Sequence, residues 1–292
     1  MIIAAMLQNR NNLSNGYLRR CLHSISLVAD QICVYDDASD EDVEPLYKEY
    51  NCTIVWGKTQ AFHRELYHKA QLLQPTVRYQ PDWIVWVDTD ACLGSFFEDR
   101  QRVEEALTSA AEQGFVRLFL HNLNLWRSNW WYRTDCNFNE LWHCVWWRNT
   151  GQLHYKPKPG LHQRQYPFAF HDEATQAKVD ASPTHFDEPT AKLLHFGFAN
   201  EQEIARKYFA YRAQGQAGGR LDRLVSEGKM VNPYTNKEET FTLEPSASDW
   251  YPQWLLEEIG APDSAPVPLF TPEKMAAWKS FDEWMESYND SQ

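Results

Sequence analysis

No stretch of this 292-residue chain stays apolar for the length a membrane span requires. Met1 to Leu7 is apolar but has no basic segment before it, and it runs straight into Gln8-Asn9-Arg10-Asn11-Asn12. That reads as a first strand rather than a targeting signal. The six cysteines, Cys21, Cys33, Cys52, Cys92, Cys136 and Cys144, include no C-x-x-C pair. Reduced thiols and a cytoplasmic setting are therefore expected. Cys136, His143 and Cys144 lack an obvious fourth zinc ligand, so packing is the expected role there. No H-E-x-x-H helix is present, which excludes a zincin. Basic residues are outnumbered 28 to 40, and the net charge of −12 disfavours a broad nucleic-acid or anionic-membrane surface. There are no internal repeats and no low-complexity tracts.

What the chain does have is an ordinary apolar fraction of 43%, enough for a sizeable core, and 13 tryptophans. The most informative stretch is Trp83-Ile84-Val85-Trp86-Val87-Asp88-Thr89-Asp90. Its apolar run reads as a strand buried on both faces, as in a parallel sheet. Two carboxylates follow at i, i+2, where the carboxyl edge of such a strand opens on a ligand crevice. Unpaired carboxylates are costly to enclose, and a hard divalent cation, Mn²⁺ or Mg²⁺, relieves that cost. The alternative is a solvated turn.

Around this stretch the pattern is β-α-β-α-β-α-β over the first ~90 residues, a doubly wound arrangement. Ile2 to Leu7 is followed by a helix with Leu18, Cys21, Leu22 and Ile25 on one face and Ser14 as its cap. Gln31 to Tyr35 is a strand running into the acidic turn Asp36-Asp37-Ala38-Ser39-Asp40. Val43 to Tyr50 is helical, Cys52 to Trp56 a strand, and Phe62, Leu66, Ala70 and Leu73 a helical stripe ended by Pro75. A helix over Glu98 to Gln113 and a strand over Phe115 to Leu120 follow. Leu125 to Arg148 is crowded with tryptophan, and Gly151 to Asp187 is loop-rich. Lys192 to His195 is a short strand ending in His195-Phe196-Gly197, and Asn200 with Glu203 caps a helix carrying Ile204, Tyr208 and Tyr211 and ended by Gly215. Thr271-Pro272 opens a last amphipathic helix, which docks on the parent domain or forms a homodimer contact.

Three of these features, in order, resemble the family 2 glycosyltransferases and their relatives with the GT-A fold. The turn Asp36-Asp37-Ala38-Ser39-Asp40 is like that family's DDxSxD, Asp88-Thr89-Asp90 is like its DxD, and His195-Phe196-Gly197 is like its late His-x-Gly strand. The resemblance covers roughly residues 1–215. It implies a GT-A-like, Rossmann-like α/β fold with a mostly parallel central sheet flanked by helices. A nucleotide-sugar half would span about 1–120 and an aromatic-rich acceptor half about 121–215, with 216–292 a C-terminal helical extension.

The implied activity is metal-dependent transfer of a sugar from a nucleoside-diphosphate sugar to an acceptor hydroxyl, with inversion. Gln8, Asn9, Arg10, Asp36, Asp37 and Arg64, with Asp88 and Thr89, would bind the donor. Asp88, Asp90 and His195 would serve the metal. The catalytic base is open between Asp135 and Asp172, with Asp135 favoured because it lies among aromatics. Trp126, Trp130, Trp131 and Trp147 would line an acceptor wall or a hydrophobic core. A UDP-sugar is the expected donor, and a glycan or another hydroxyl compound the expected acceptor. The alternatives are a retaining GT-A enzyme, a nucleotidyltransferase using the same metal-diphosphate logic, and a carbohydrate-binding module. An aspartyl-nucleophile phosphatase is disfavoured because Cys92 stands where that class carries Thr or Val. The nucleotidyltransferase is disfavoured because Gln8 to Asn12 has no glycine.

Overall fold

The computed structural model describes residues 1–135, 142–157, 166–182, 184–200, 203–204, 207, 230–231, 238–239 and 242–266. The expectations for Tyr208, Tyr211, Gly215 and the helix from Thr271 lie outside the described residues. Two compact units are present. The first comprises Met1–Asn122, Trp142–His195 and Ala247–Ala261, and the second Leu123–Leu141, Phe196–Ser246 and Pro262–Gln292. No helix among the described residues is long and apolar enough to cross a membrane.

The first unit is a mixed α/β layer structure. Its elements in chain order are β1 (Ile3–Asn9), α1 (Tyr17–Ser26), β2 (Gln31–Asp36), α2 (Glu44–Glu49), β3 (Thr53–Trp56), α3 (Glu65–Arg78), β4 (Trp83–Trp86), β5 (Ala91–Leu93), α4 (Arg100–Glu112), β6 (Arg117–Asn124), whose last two residues belong to the second unit, β8 (Trp142–Arg148), α5 (Glu173–Asp180), β9 (Lys192–His195) and α6 (Gln253–Ile259). The second unit contributes β7 (Trp131–Arg133), β10 (Met230–Val231), β11 (Glu238–Glu239) and β12 (Leu243–Pro245). There β7 pairs antiparallel with β12 and β10 with β11.

The central sheet has the order β3-β2-β1-β4-β8-β6-β9-β5. Strands β1, β2 and β4 are buried on both sides because their apolar runs are continuous rather than alternating. Ile3, Ala5, Leu7, Val34, Val85 and Trp146 face one cluster, with Leu18, Leu22 and Ile25 of α1 and Val103 and Leu107 of α4. Met6, Cys33, Tyr35, Ile84, Trp86 and Trp147 face the other, with Leu66, Leu72 and Leu73 of α3. Each fully buried Leu or Ile contributes about 1.5–3 kcal/mol, so the two clusters fix which face each helix covers.

The expectation of a mostly parallel sheet holds in part. The run β3-β2-β1-β4 is parallel, whereas β4–β8, β6–β8 and β5–β9 are antiparallel. The helical crossovers that enforce parallel pairing stop with β4. The strand β5 was not anticipated, since three residues carry no periodicity. Ser14 is not the cap of α1. Gly16 takes that position at φ 77°, Asn15 Oδ1 accepts from the Tyr17 N–H at 3.0 Å, and the Ser14 N–H donates to Glu41. Nor does Pro75 end α3, which runs on to Arg78. Proline removes one donor, but the buried stripe holds the last turn, and the Thr76 hydroxyl donates to the Leu72 carbonyl at 2.8 Å.

Gly57 follows β3 and lies against the acidic turn. A Cβ there would fall 2.8 Å from the Asp36 carbonyl oxygen and 3.3 Å from the Ala38 nitrogen. Gly57→Ala is expected to lower stability by about 1–3 kcal/mol in urea melts, because the obstructing atoms are backbone. An unchanged midpoint would show that the turn gives way freely.

Candidate active site

The acidic residues collect at the carboxyl edge of the parallel strands. Asn9 ends β1 and pairs in register with Asp36, which ends β2. The Asp36 carboxylate is wholly buried and enclosed by the chain's own donors. The Ser39 N–H reaches Oδ1 at 2.7 Å, and Oδ2 accepts from the Tyr47 hydroxyl at 2.7 Å, the Ser39 hydroxyl at 2.9 Å and Asn9 Nδ2 at 3.2 Å. Burial and this carboxylate push the Tyr47 phenol far above its usual range, so it stays a donor. Asp36 thus fixes the turn.

Asp37 is built differently. It too is fully buried, and its Oδ1 accepts from the Ala61 N–H at 2.9 Å. Its Oδ2 has no hydrogen-bond partner among the described residues. Burial raises its pKa to about 6, against the lowering effect of the Ala61 N–H and of Arg10. A buried acceptor left open is costly, and it suits a ligand that brings an N–H or O–H donor.

Neighbouring side chains complete this corner. Gln8 Nε2 donates to His68 Nδ1 at 2.9 Å, and His68 Nε2 lies 4.0 Å from Asp37 Oδ1. The His68 ring stacks on Tyr35 with centroids 4.2 Å apart. Burial, with Arg64 and His63 nearby, lowers the His68 pKa to about 4, so the ring is neutral. Arg10 donates to the carbonyls of Asp37 and Ala38 and pairs with Asp40 at 3.0 Å, which makes it a strut under the turn. Arg64 is exposed, with its guanidinium 4.7 Å from the centre of the Tyr67 ring.

A line of hydrogen bonds joins this corner to Asp88-Thr89-Asp90. Asn12 Nδ2 donates to Thr89 Oγ1 at 2.8 Å and to Asn9 Oδ1 at 3.4 Å, and Asn9 in turn holds Asp36. Asp88 Oδ1 accepts from Trp86 Nε1 at 2.8 Å. Asp90 Oδ2 lies 3.4 Å from His195 Nε2. That meeting follows from the β5–β9 register, which sets Ala91 opposite His195.

His143 belongs here as well, and sequence reasoning had assigned it only to packing. Val85 pairs with Trp146 in the antiparallel β4–β8 register, and His143 lies three residues before Trp146 on the same strand. Burial lowers the His143 pKa to about 4. Asp88 and Asp90 act to raise it, and His195 and Lys69 to lower it further. Among the described residues, no group of three or more His, Cys, Asp or Glu side chains is placed to hold a metal ion.

Other expected residues have structural roles. Asp172 caps α5, accepting from the Thr175 N–H at 2.7 Å, and the Thr175 side chain and N–H hold its pKa below the usual range. Trp147 is core in the first unit. In the second unit, Asp135 is buried and gripped by Arg133, Nε to Oδ1 at 3.0 Å and Nη2 to Oδ2 at 2.5 Å. Trp126 and Trp130 are buried there, and Trp131 is partly exposed with Nε1 donating to the Asp263 carbonyl at 3.2 Å.

No family model matches this chain, and no curated protein does. Among solved structures, residues 1–349 of S. aureus TarS match with a TM-score of 0.34 and 16% identity, covering 42% of this chain and 37% of that one. The same protein in complex with UDP-GlcNAc gives 0.34 and 16%, covering 42% and 36%. In complex with UDP it gives 0.33 and 16%, covering 42% and 37%. The match thus spans well under half of either chain, and so partial a likeness carries no argument about activity.

Asp37 and His68 respond to pH in opposite directions. A carboxyl with a raised folded pKa costs stability as the pH rises from about 4 to about 6, and the full cost persists above that. Asp37→Asn is therefore expected to stabilise the fold by about 1–3 kcal/mol at pH 7.5 and by little at pH 4. His68 acts in the other direction, since its contribution is lost as the pH falls from about 6.5 to about 4. Urea melts of the variant across this range check the first effect, and a loss of stability at pH 7.5 would contradict it.

Proposed function

We propose that this edge of the sheet binds a nucleoside-diphosphate sugar and transfers its sugar to an acceptor hydroxyl with the aid of a divalent cation. The observation that carries the reading is the hydrogen-bonded line Asp36–Asn9–Asn12–Thr89, which sets the acidic turn beside Asp88-Thr89-Asp90. The open Oδ2 of Asp37 supplies a buried acceptor for a nucleobase N–H. Gln8 and the neutral His68 stand next to it. The donor in this reading is a UDP-sugar.

Mg²⁺ and Mn²⁺ are commonly held by one or two protein ligands with substrate phosphates and water completing the shell. The Asp90–His195 pair fits that pattern. Asp90 Oδ2 and His195 Nε2 would hold the ion, which neutralises charge on the departing diphosphate. Asp88, braced by Trp86, would orient the ribose or the ion's water. His143, kept neutral by burial, adds no competing positive charge. Inversion remains part of the proposal. Of the two base candidates, Asp135 is held by Arg133 and Asp172 is capping a helix, so either would leave a structural partner to accept a proton.

Thermal shift with a panel of nucleoside diphosphates, with and without Mn²⁺, tests the reading. UDP with Mn²⁺ is expected to stabilise the chain by about 2.7 kcal/mol at a hundredfold excess over Kd, and Asp90→Ala to abolish that gain. Equal stabilisation of Asp90→Ala, or of the wild type without metal, would contradict the metal-assisted transferase. Sugar affinity that survives in Asp90→Ala would favour a carbohydrate-binding module instead.

A further inference from the structure

Helix α3 turns Leu66 and Leu73 into the core under the parallel strands. Lys69 lies three residues after the first and four before the second, so it shares their face. Its side chain is completely buried. An ammonium in that place is costly to desolvate, whereas Met or Leu would fill the same volume without that penalty. Lys69 Nζ is 2.5 Å from Glu65 Oε1, one turn back, and 4.4 Å from the centroid of the Trp86 ring. The same indole donates its Nε1–H to Asp88 Oδ1 at 2.8 Å. A connected path therefore runs Glu65, Lys69, Trp86, Asp88, from the helix to the first carboxylate of the Asp88-Thr89-Asp90 turn. Lys69 also acts electrostatically on His143 at the same edge.

We propose that Lys69 is a positioning residue for Asp88, acting through Trp86. A cation held over the indole face draws electron density from the ring and makes its N–H a stronger donor. The strengthened bond pins Asp88 Oδ1 and leaves the carboxylate's other oxygen for a ligand. What that oxygen meets rests on the transferase reading, but the brace itself does not. An ordinary Glu65–Lys69 helix pair would stabilise α3 without affecting the Trp86 N–H.

The test is a ¹⁵N spectrum of the indole N–H groups in the full chain, with Trp86→Phe identifying the Trp86 signal. Lys69→Met is expected to move that signal upfield and speed its exchange with solvent. In an Asp88→Asn background the same change should shift it much less, because the bond being strengthened is already altered. Mn²⁺-dependent UDP affinity should fall about tenfold or more in Lys69→Met. An unmoved Trp86 signal in folded Lys69→Met, or an equal shift in both backgrounds, overturns the proposal. Should Lys69→Met not fold, Glu65→Gln removes the counter-ion instead and is expected to move the same signal, and no movement there overturns it. A wild type that binds no UDP with metal defeats the transferase reading, while the indole signal still decides the role of Lys69.

Discussion

A carboxylate sealed inside the protein, that of Asp36, organises this end of the molecule. Its two oxygens gather donors from β1, from the turn and from Tyr47 beyond it, so three separate pieces of chain are held to one point. Removing any one donor would leave a buried charge short of a partner, the kind of loss that unfolds a turn rather than loosening it. Because Asp36 is satisfied by the chain, Asp37 is displayed in a different way, with one oxygen anchored and the other open. Two adjacent residues of the same type are therefore held differently, one enclosed by the chain's donors and one with an oxygen left open.

The remainder of the edge shows the same division. Thr89 is tied down by Asn12, while Asp88 and Asp90 on either side reach to Trp86 and to the neighbourhood of His195. The charge distribution is uneven. Acids stand above, a buried lysine lies below, and His68 and His143 are both held neutral.

Much of the first half was legible in the sequence because its strands are continuous apolar runs and its helices carry stripes. The strands β1 to β4 and the helices between them follow from that alone. The antiparallel half was not. Trp142 to Arg148 does not alternate, since Val145, Trp146 and Trp147 are buried in succession and its register against β6 shifts between Leu118 and Phe119, so nothing local announces a strand or its direction. The acids that act on His143 come from the loop after another strand, so its place at this edge could not be read locally. Likewise, β5 is three residues long and its partner is a hundred residues away, yet this pairing is what brings His195 beside Asp90. Which of Asp36 and Asp37 is enclosed by the chain's own donors was equally hidden, because the deciding phenol, Tyr47, sits on the next helix. The aromatic stretch was legible as a cluster but not as core, since tryptophan serves both core and sugar-binding surfaces.

The most direct measurement is anomalous diffraction from a crystal of the full chain soaked with Mn²⁺ and UDP. A manganese peak is expected in contact with Asp90 Oδ2 and His195 Nε2, with diphosphate oxygens completing its shell and the base donating to Asp37 Oδ2. Manganese bound elsewhere on the chain, or a base that leaves Asp37 Oδ2 without a donor, would contradict it.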